Sequence, residues 1–150
     1  MTNRAVSVLL VEDNPADVRL AREAMKASKL QLDITVVEDG ELALDYLSRR
    51  GAYVDATRPD LILLDLNLPR LSGLTVLERI KSDPELRPIP VVVLTTSDSQ
   101  DDIMRSYSLH ANCYIRKPPR LEDFIRVVQS IDDFWFTIVR LPPRATPAGV

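Results

Sequence analysis

Six polar side chains of this sequence stand where short apolar runs end. Val6-Ser7-Val8-Leu9-Leu10-Val11 stops at Glu12-Asp13, Leu61-Ile62-Leu63-Leu64 at Asp65, Val91-Val92-Val93-Leu94 at Thr95-Thr96, and Cys113-Tyr114-Ile115 shortly before Lys117. Carboxylates gathered in one crevice repel one another, and one must take a proton unless a cation neutralises them. Hard oxygen donors without His or Cys select Mg2+ or Mn2+ over zinc. Magnesium held by one or two carboxylates keeps room for phosphate oxygens, and a hydroxyl and an ammonium can stabilise a phosphoryl group from its other side. An aspartate can accept that group covalently, and Asp65, closing the central apolar run, is the best placed to do so. Any one of these residues alone reads as a turn residue or helix cap. Four runs ending this way argue for a shared site.

The elements that must position them alternate from end to end. The apolar runs read as buried strands. Asn14-Pro15 opens a first helix, with Asn14 as N-cap and Pro15 at the first helical position, and Val18, Ala21 and Met25 on one face. Leu32, Ile34 and Val36 alternate as a second strand. Asp39-Gly40 leads into a helix carrying Leu42, Ala43, Tyr46 and Leu47, for which Gly51 suits the exit. Leu74, Leu77 and Ile80 mark a third helix after the turn Leu68–Gly73, and Ile103 and Tyr107 a fourth. Leu121, Phe124, Ile125, Val128, Ile131 and Trp135 recur at helical spacing in the last. Five β–α pairs with continuously apolar strands imply a doubly wound, parallel α/β sheet, whose ligands bind beyond the carboxyl ends of the strands.

Composition fits one domain of this kind. The chain has 150 residues, 45% of them apolar and 27% charged, with a net charge of −3. No apolar run approaches the ~20 residues of a membrane span, and Met1–Arg4 leads straight into the first strand, so no signal peptide is expected. The single cysteine, Cys113, excludes an internal disulfide and fits a reducing, cytoplasmic compartment. The single histidine, His110, argues against a His-rich metal site and reads as a helix-end residue. Arg49-Arg50 and Arg140…Arg144 read as solvated clusters, so no nucleic-acid partner is expected.

Taken together, Glu12-Asp13, the turn Asp65-x-Asn67-x-Pro69-x-x-x-Gly73, Thr95-Thr96 and Lys117-Pro118 resemble a two-component response-regulator receiver domain over residues 5–131. The resemblance implies a flavodoxin-like five-stranded sheet in the order 2-1-3-4-5. It implies that Asp65 accepts a phosphoryl group from a phosphohistidine. It also implies that Asp13, Asp65 and the Asn67 carbonyl ligate Mg2+ (Mn2+ being an alternative), with Glu12 acting through water. Lys117 would pair with Asp65 and then with the phosphoryl group, and Thr95 would engage a phosphoryl oxygen beside Thr96. Tyr114 stands at the switch-aromatic position, and Lys117-Pro118 at a site where the peptide bond is usually cis. Such a domain helps to catalyse its own phosphorylation and dephosphorylation but is not otherwise an enzyme.

A narrower resemblance concerns Ile131–Leu141, Leu94–Asp98 and His110–Ile115, which look like stand-alone receivers that partner phytochrome-type histidine kinases. It implies such a kinase as partner and no chromophore here. Only 19 residues follow Ile131, too few for the ~50 residues of an effector domain, so output is expected through protein contacts. Residues 132–141 read as an apolar extension and 142–150 as a disordered tail. Leu121, Phe124 or Ile125, Val128 and Ile131 fill a core-facing stripe, so part of Phe134, Phe136, Ile138, Val139 and Leu141 should point outward. That implies a homodimer through the fourth helix, fifth strand, fifth helix and extension; the plainer reading makes these residues a lid on the chain's own core. Two other functions fit the fold: a degenerate receiver serving only as an interaction module, and a flavodoxin-like cofactor binder. The complete acid–Thr–Lys set argues against the first, and Glu12-Asp13, which would repel a phosphate, against the second.

Overall fold

The computed structural model describes residues 5–28 and 30–143. Met1–Arg4, and residues 144–150 of the expected tail, lie outside the described residues. Strands β1 (Val6–Val11), β2 (Leu32–Val37), β3 (Leu61–Leu64), β4 (Val91–Thr95) and β5 (Cys113–Arg116) form one parallel sheet in the order β2-β1-β3-β4-β5. Helices α1 (Pro15–Met25), α2 (Gly40–Leu47), α3 (Gly73–Ser82), α4 (Gln100–Ser108) and α5 (Leu121–Ile131) supply the crossovers. This is the α/β flavodoxin-like arrangement, with the order reversing between β1 and β3.

Local chemistry starts the helices where the sequence indicates. Asn14 Oδ1 accepts the N–H groups of Ala16 and Asp17, and Asp39 Oδ1 that of Leu42. Ser72 and Ser99 cap α3 and α4 in the same way. Alternate strand residues then feed two cores. Val8, Leu10, Leu61, Leu63, Val92 and Leu94 pack against α1 and α5, whereas Leu9, Val11, Ile62, Leu64, Val91 and Val93 pack against α2 and α3. Both sheet faces are covered, which is why the strands read as unbroken apolar runs.

Several local expectations shift. The exit of α2 is made by Arg49 (φ 56°), with Gly51 (φ 59°) opening a separate 3-10 turn, Gly51–Tyr53. Leu121, the first residue of α5, is 52% exposed and does not join the core stripe. Helix α4 carries Ile103 and Tyr107 as expected, but its buried residue is Ser106, and Tyr107 is half exposed. After α5 the chain widens into a π-helical segment, Asp132–Ile138, which buries Phe136 among the α1/α5 core residues and leaves Phe134 and Ile138 outside. Phe134 packs edge-on against Trp135, with ring centroids 5.6 Å apart.

Gly73 fixes the approach of α3 to the end of β3. A Cβ there would stand 2.5 Å from Leu66 Cα and closer still to the Asp65 carbonyl oxygen. Both are backbone, so neither can turn aside. Gly73→Ala is therefore expected to destabilise the fold by about 1–3 kcal/mol through overpacking, despite alanine's better helix propensity. Denaturant unfolding measures this; a variant as stable as the parent would show that the turn yields freely.

Candidate functional site

Backbone pairing carries the polar residues to one end of the sheet. The Glu12 N–H donates to the Val37 carbonyl at 3.0 Å, that of Asp65 to Val11 at 3.1 Å, and that of Lys117 to Thr95 at 2.6 Å. Residues far apart in sequence are thus set side by side by ladders that the apolar runs dictate.

Side-chain oxygens of Glu12, Asp13 and Asp65 all lie within 4.8 Å of one another. Glu12 and Asp65 are buried, while Asp13 is exposed and opens the group to solvent. Lys117, 6% exposed, reaches into it. Its ammonium donates to Glu12 Oε2, to Asp65 Oδ2 at 3.1 Å and to Asp17 Oδ2 at 2.8 Å. The other oxygens are held from the backbone: the Asn67 N–H donates to Asp65 Oδ1 at 3.2 Å, and the Asn14 N–H to Glu12 Oε1 at 3.1 Å.

Electrostatics follow from this crowding. Burial raises the Glu12 carboxyl to about 7, the Lys117 hydrogen bond opposes the rise, and the Asp65 charge adds to it. Burial alone would lower Lys117, but its bonds to Asp17 and Glu12 outweigh that and hold the ammonium well above its usual range. One cation therefore serves a group with an excess of negative charge. Oxygen donors of this kind suit a divalent cation, Mg2+ or Mn2+.

Thr95 is fully buried at the end of β4, and its hydroxyl has no hydrogen-bond partner among the described residues. Such a group carries a desolvation cost of about 1–3 kcal/mol. Thr96 and Asn67 are exposed. Tyr114 is half-buried, and its hydroxyl donates to the Ser97 carbonyl at 2.8 Å, bracing the loop after Thr95. His110 is the left-handed residue that follows α4 (φ 70°), and Cys113 packs beside the sheet with its thiol pushed up by burial. No peptide bond among the described residues is cis, so Lys117-Pro118 departs from that expectation: the Lys117 ammonium reaches all three carboxylates across a trans bond. Asp17 is the residue that sequence reasoning missed. Its signal is an acid four positions after Asp13, which on a first helical turn is indistinguishable from one placed to offset the helix dipole. A cavity of about 1170 Å3 lies at the opposite end of the sheet, lined in part by Tyr46, Thr57 and Leu86.

A doubly wound sheet ending in an acidic cluster, a buried lysine and a buried threonine hydroxyl defines a metal-assisted phosphoryl-accepting signalling domain. The response regulator receiver domain profile matches residues 8–129, and the chain belongs to that family. It is 48% identical over 135 residues to the response regulator Rcp1 of Synechocystis sp., covering 90% of this chain and 92% of that protein. The crystal structure of the Mn2+-bound form of Rcp1 superposes with a TM-score of 0.90 at 47% identity, covering 92% of this chain and 99% of that one. The phosphorylated cyanobacterial phytochrome response regulator RcpA gives 0.92 at 49% identity, covering 93% and 100%. Receivers of this family catalyse their own phosphorylation and dephosphorylation and are not enzymes in the ordinary sense. No helix among the described residues is long and apolar enough to cross a membrane.

The raised Glu12 carboxyl has a measurable consequence. A cation favours the deprotonated group, so binding is full above about 7 and weakens as Glu12 takes up a proton below it. Mg2+ affinity is expected to be weaker at pH 6 than at pH 8 by up to about tenfold, with proton release on binding, and Glu12→Gln is expected to flatten the profile. Calorimetry in buffers of different ionisation heat reads both; a pH-independent affinity in the parent would contradict the assignment.

Proposed function

We propose that Asp65 is the phosphoryl acceptor of a single-domain response regulator. An Asp65 carboxylate oxygen attacks the phosphorus of a phosphohistidine; the P–N bond breaks and its electron pair leaves on the imidazole. The observation that carries this reading is the bond from the Lys117 ammonium to Asp65 Oδ2 at the sheet end where Thr95 buries an unpaired hydroxyl. Lys117 and Thr95 then meet the phosphoryl oxygens, with Thr96 at the rim. Glu12, Asp13, Asp65 and Asn67 would hold a divalent cation, which would supply charge neutralisation for the carboxylate and phosphoryl oxygens. As Thr95 closes on the phosphoryl group, the loop braced by Tyr114 rearranges and carries the signal.

On this reading the protein is cytoplasmic and its phosphoryl donor is a sensor histidine kinase of the phytochrome type, supported by the likeness to RcpA. Residues 5–131 form the receiver and 132–141 an extension that serves a homodimer. Met104, Tyr107 and Leu121 are exposed on α4 and at the start of α5, and Phe134 and Ile138 on the extension, each at least half accessible. These apolar side chains supply the driving force for a two-fold interface. Output then runs through protein contacts.

Two measurements test these readings. Asp65→Asn, which keeps the shape but removes the nucleophilic charge, is expected to abolish labelling by a small-molecule phosphodonor, as is removal of Mg2+ from the parent. Full, stable labelling of the variant sinks the acceptor assignment. For the dimer, truncation is a poor probe because Phe136 belongs to the core. The double substitution Phe134→Ser with Ile138→Ser is expected to sediment as a monomer where the parent is a dimer. A monomeric parent at tens of micromolar, phosphorylated or not, refutes the interface.

A further inference from the structure

An ammonium has three N–H donors, and Lys117 directs all of them at carboxylates. Glu12 and Asp65 belong to the acidic group that gathers around the cation site. Asp17 does not. It stands on the first turn of α1, placed there by Pro15 and by the Asn14 side chain, whose Oδ1 accepts the Asp17 N–H at 3.3 Å. From that position its Oδ2 takes the Lys117 ammonium at 2.8 Å, a shorter bond than the 3.1 Å to Asp65. Its side chain is 22% exposed, so the pair is only partly screened by solvent.

We infer that Asp17 is a positioning residue for phosphoryl transfer, holding Lys117 so that its charge is shared and not concentrated on the acceptor oxygen. The inference rests on the reading of Asp65 as acceptor. The physical reason is competition for a single positive charge. Without the Asp17 carboxylate, the ammonium turns to its two remaining partners and binds Asp65 Oδ2 more tightly. A carboxylate oxygen held by a stronger charge-assisted hydrogen bond has less electron density to offer phosphorus. The ammonium, no longer tethered to α1, also loses the fixed position from which it must meet the phosphoryl oxygens. Both effects slow the chemical step, and neither removes an oxygen donor from the cation site.

The test follows phosphoaspartate formation by the full chain with phosphoramidate and saturating Mg2+. Asp65 oxygen bonds to phosphorus as the P–N bond breaks, and the protonated donor nitrogen leaves with the electron pair as ammonia. Asp17→Asn is expected to slow formation about tenfold, with Mg2+ affinity by calorimetry and melting temperature unchanged. Asp17→Ala is expected to behave alike and keeps the test decisive if one variant fails to fold. Asp17→Glu, which restores the carboxylate, is expected to recover most of the rate. A rate in Asp17→Asn equal to or above that of the parent overturns the inference. So does a loss of Mg2+ affinity in proportion to the rate, which would place Asp17 in the cation site. Asp65→Asn run alongside separates the two readings: if it labels as the parent does, the acceptor assignment fails, whereas an unlabelled Asp65→Asn beside a fast Asp17→Asn removes only the inference.

Discussion

The ammonium of Lys117 is the interaction on which the rest of the arrangement depends. It stands almost wholly buried among carboxylates from the end of β1, the first turn of α1 and the end of β3. A charge taken out of water is tolerable only when paired and hydrogen-bonded, and here the pairing is mutual. Glu12 and Asp65 could not be buried side by side without the lysine, and the lysine could not be buried without them. Three pieces of chain are thereby bound to a fourth, the segment after β5, and the sheet end becomes one electrostatic unit. The same unit has negative charge in excess, so it favours a divalent cation.

The fold supplies the conditions for this unit. Strands covered on both faces hold their ends in register, and the close approach of α3 at Gly73 fixes the turn that carries Asp65 and Asn67. Thr95 is held by the same sheet, its hydroxyl buried and unpaired a residue from the loop that Tyr114 braces. Stability and readiness are in tension here, as they commonly are at functional sites. The sheet end keeps an unpaired hydroxyl and a strained charge balance that a purely structural core would have removed.

Much of this was legible in the sequence because burial leaves a plain signature. Unbroken runs such as Leu61–Leu64 can only be strands covered on both sides, and the polar residues that end them fall at one edge of a parallel sheet by topology alone. The helix cap at Asn14 was readable for a local reason, a side-chain oxygen satisfying free N–H groups, whereas the caps at Asp39 and Ser72 come from the structure. What escaped depends on distance in three dimensions. Asp17 looks like any acid on a first helical turn until α1 is seen beside Lys117, a hundred residues away. Leu121 matches the apolar period of α5, yet as the first residue of that helix it is left half exposed. The π-helical widening after Ile131 likewise arises from seating Phe136 in the core while Phe134 and Ile138 face out, which periodicity cannot register.

Three carboxylates hold Lys117 and a fourth, Asp13, stands beside two of them; the central claim is that Asp65 is the nucleophile. The others have different situations: Glu12 is raised toward protonation, Asp13 faces solvent, and Asp17 sits outside the cation group. Borohydride reduction of the phosphorylated chain converts an acyl phosphate on aspartate to homoserine, and peptide mass spectrometry locates it. The account predicts homoserine at position 65 and nowhere else in the crevice. A reduced residue at position 12, 13 or 17 with none at 65 would contradict it.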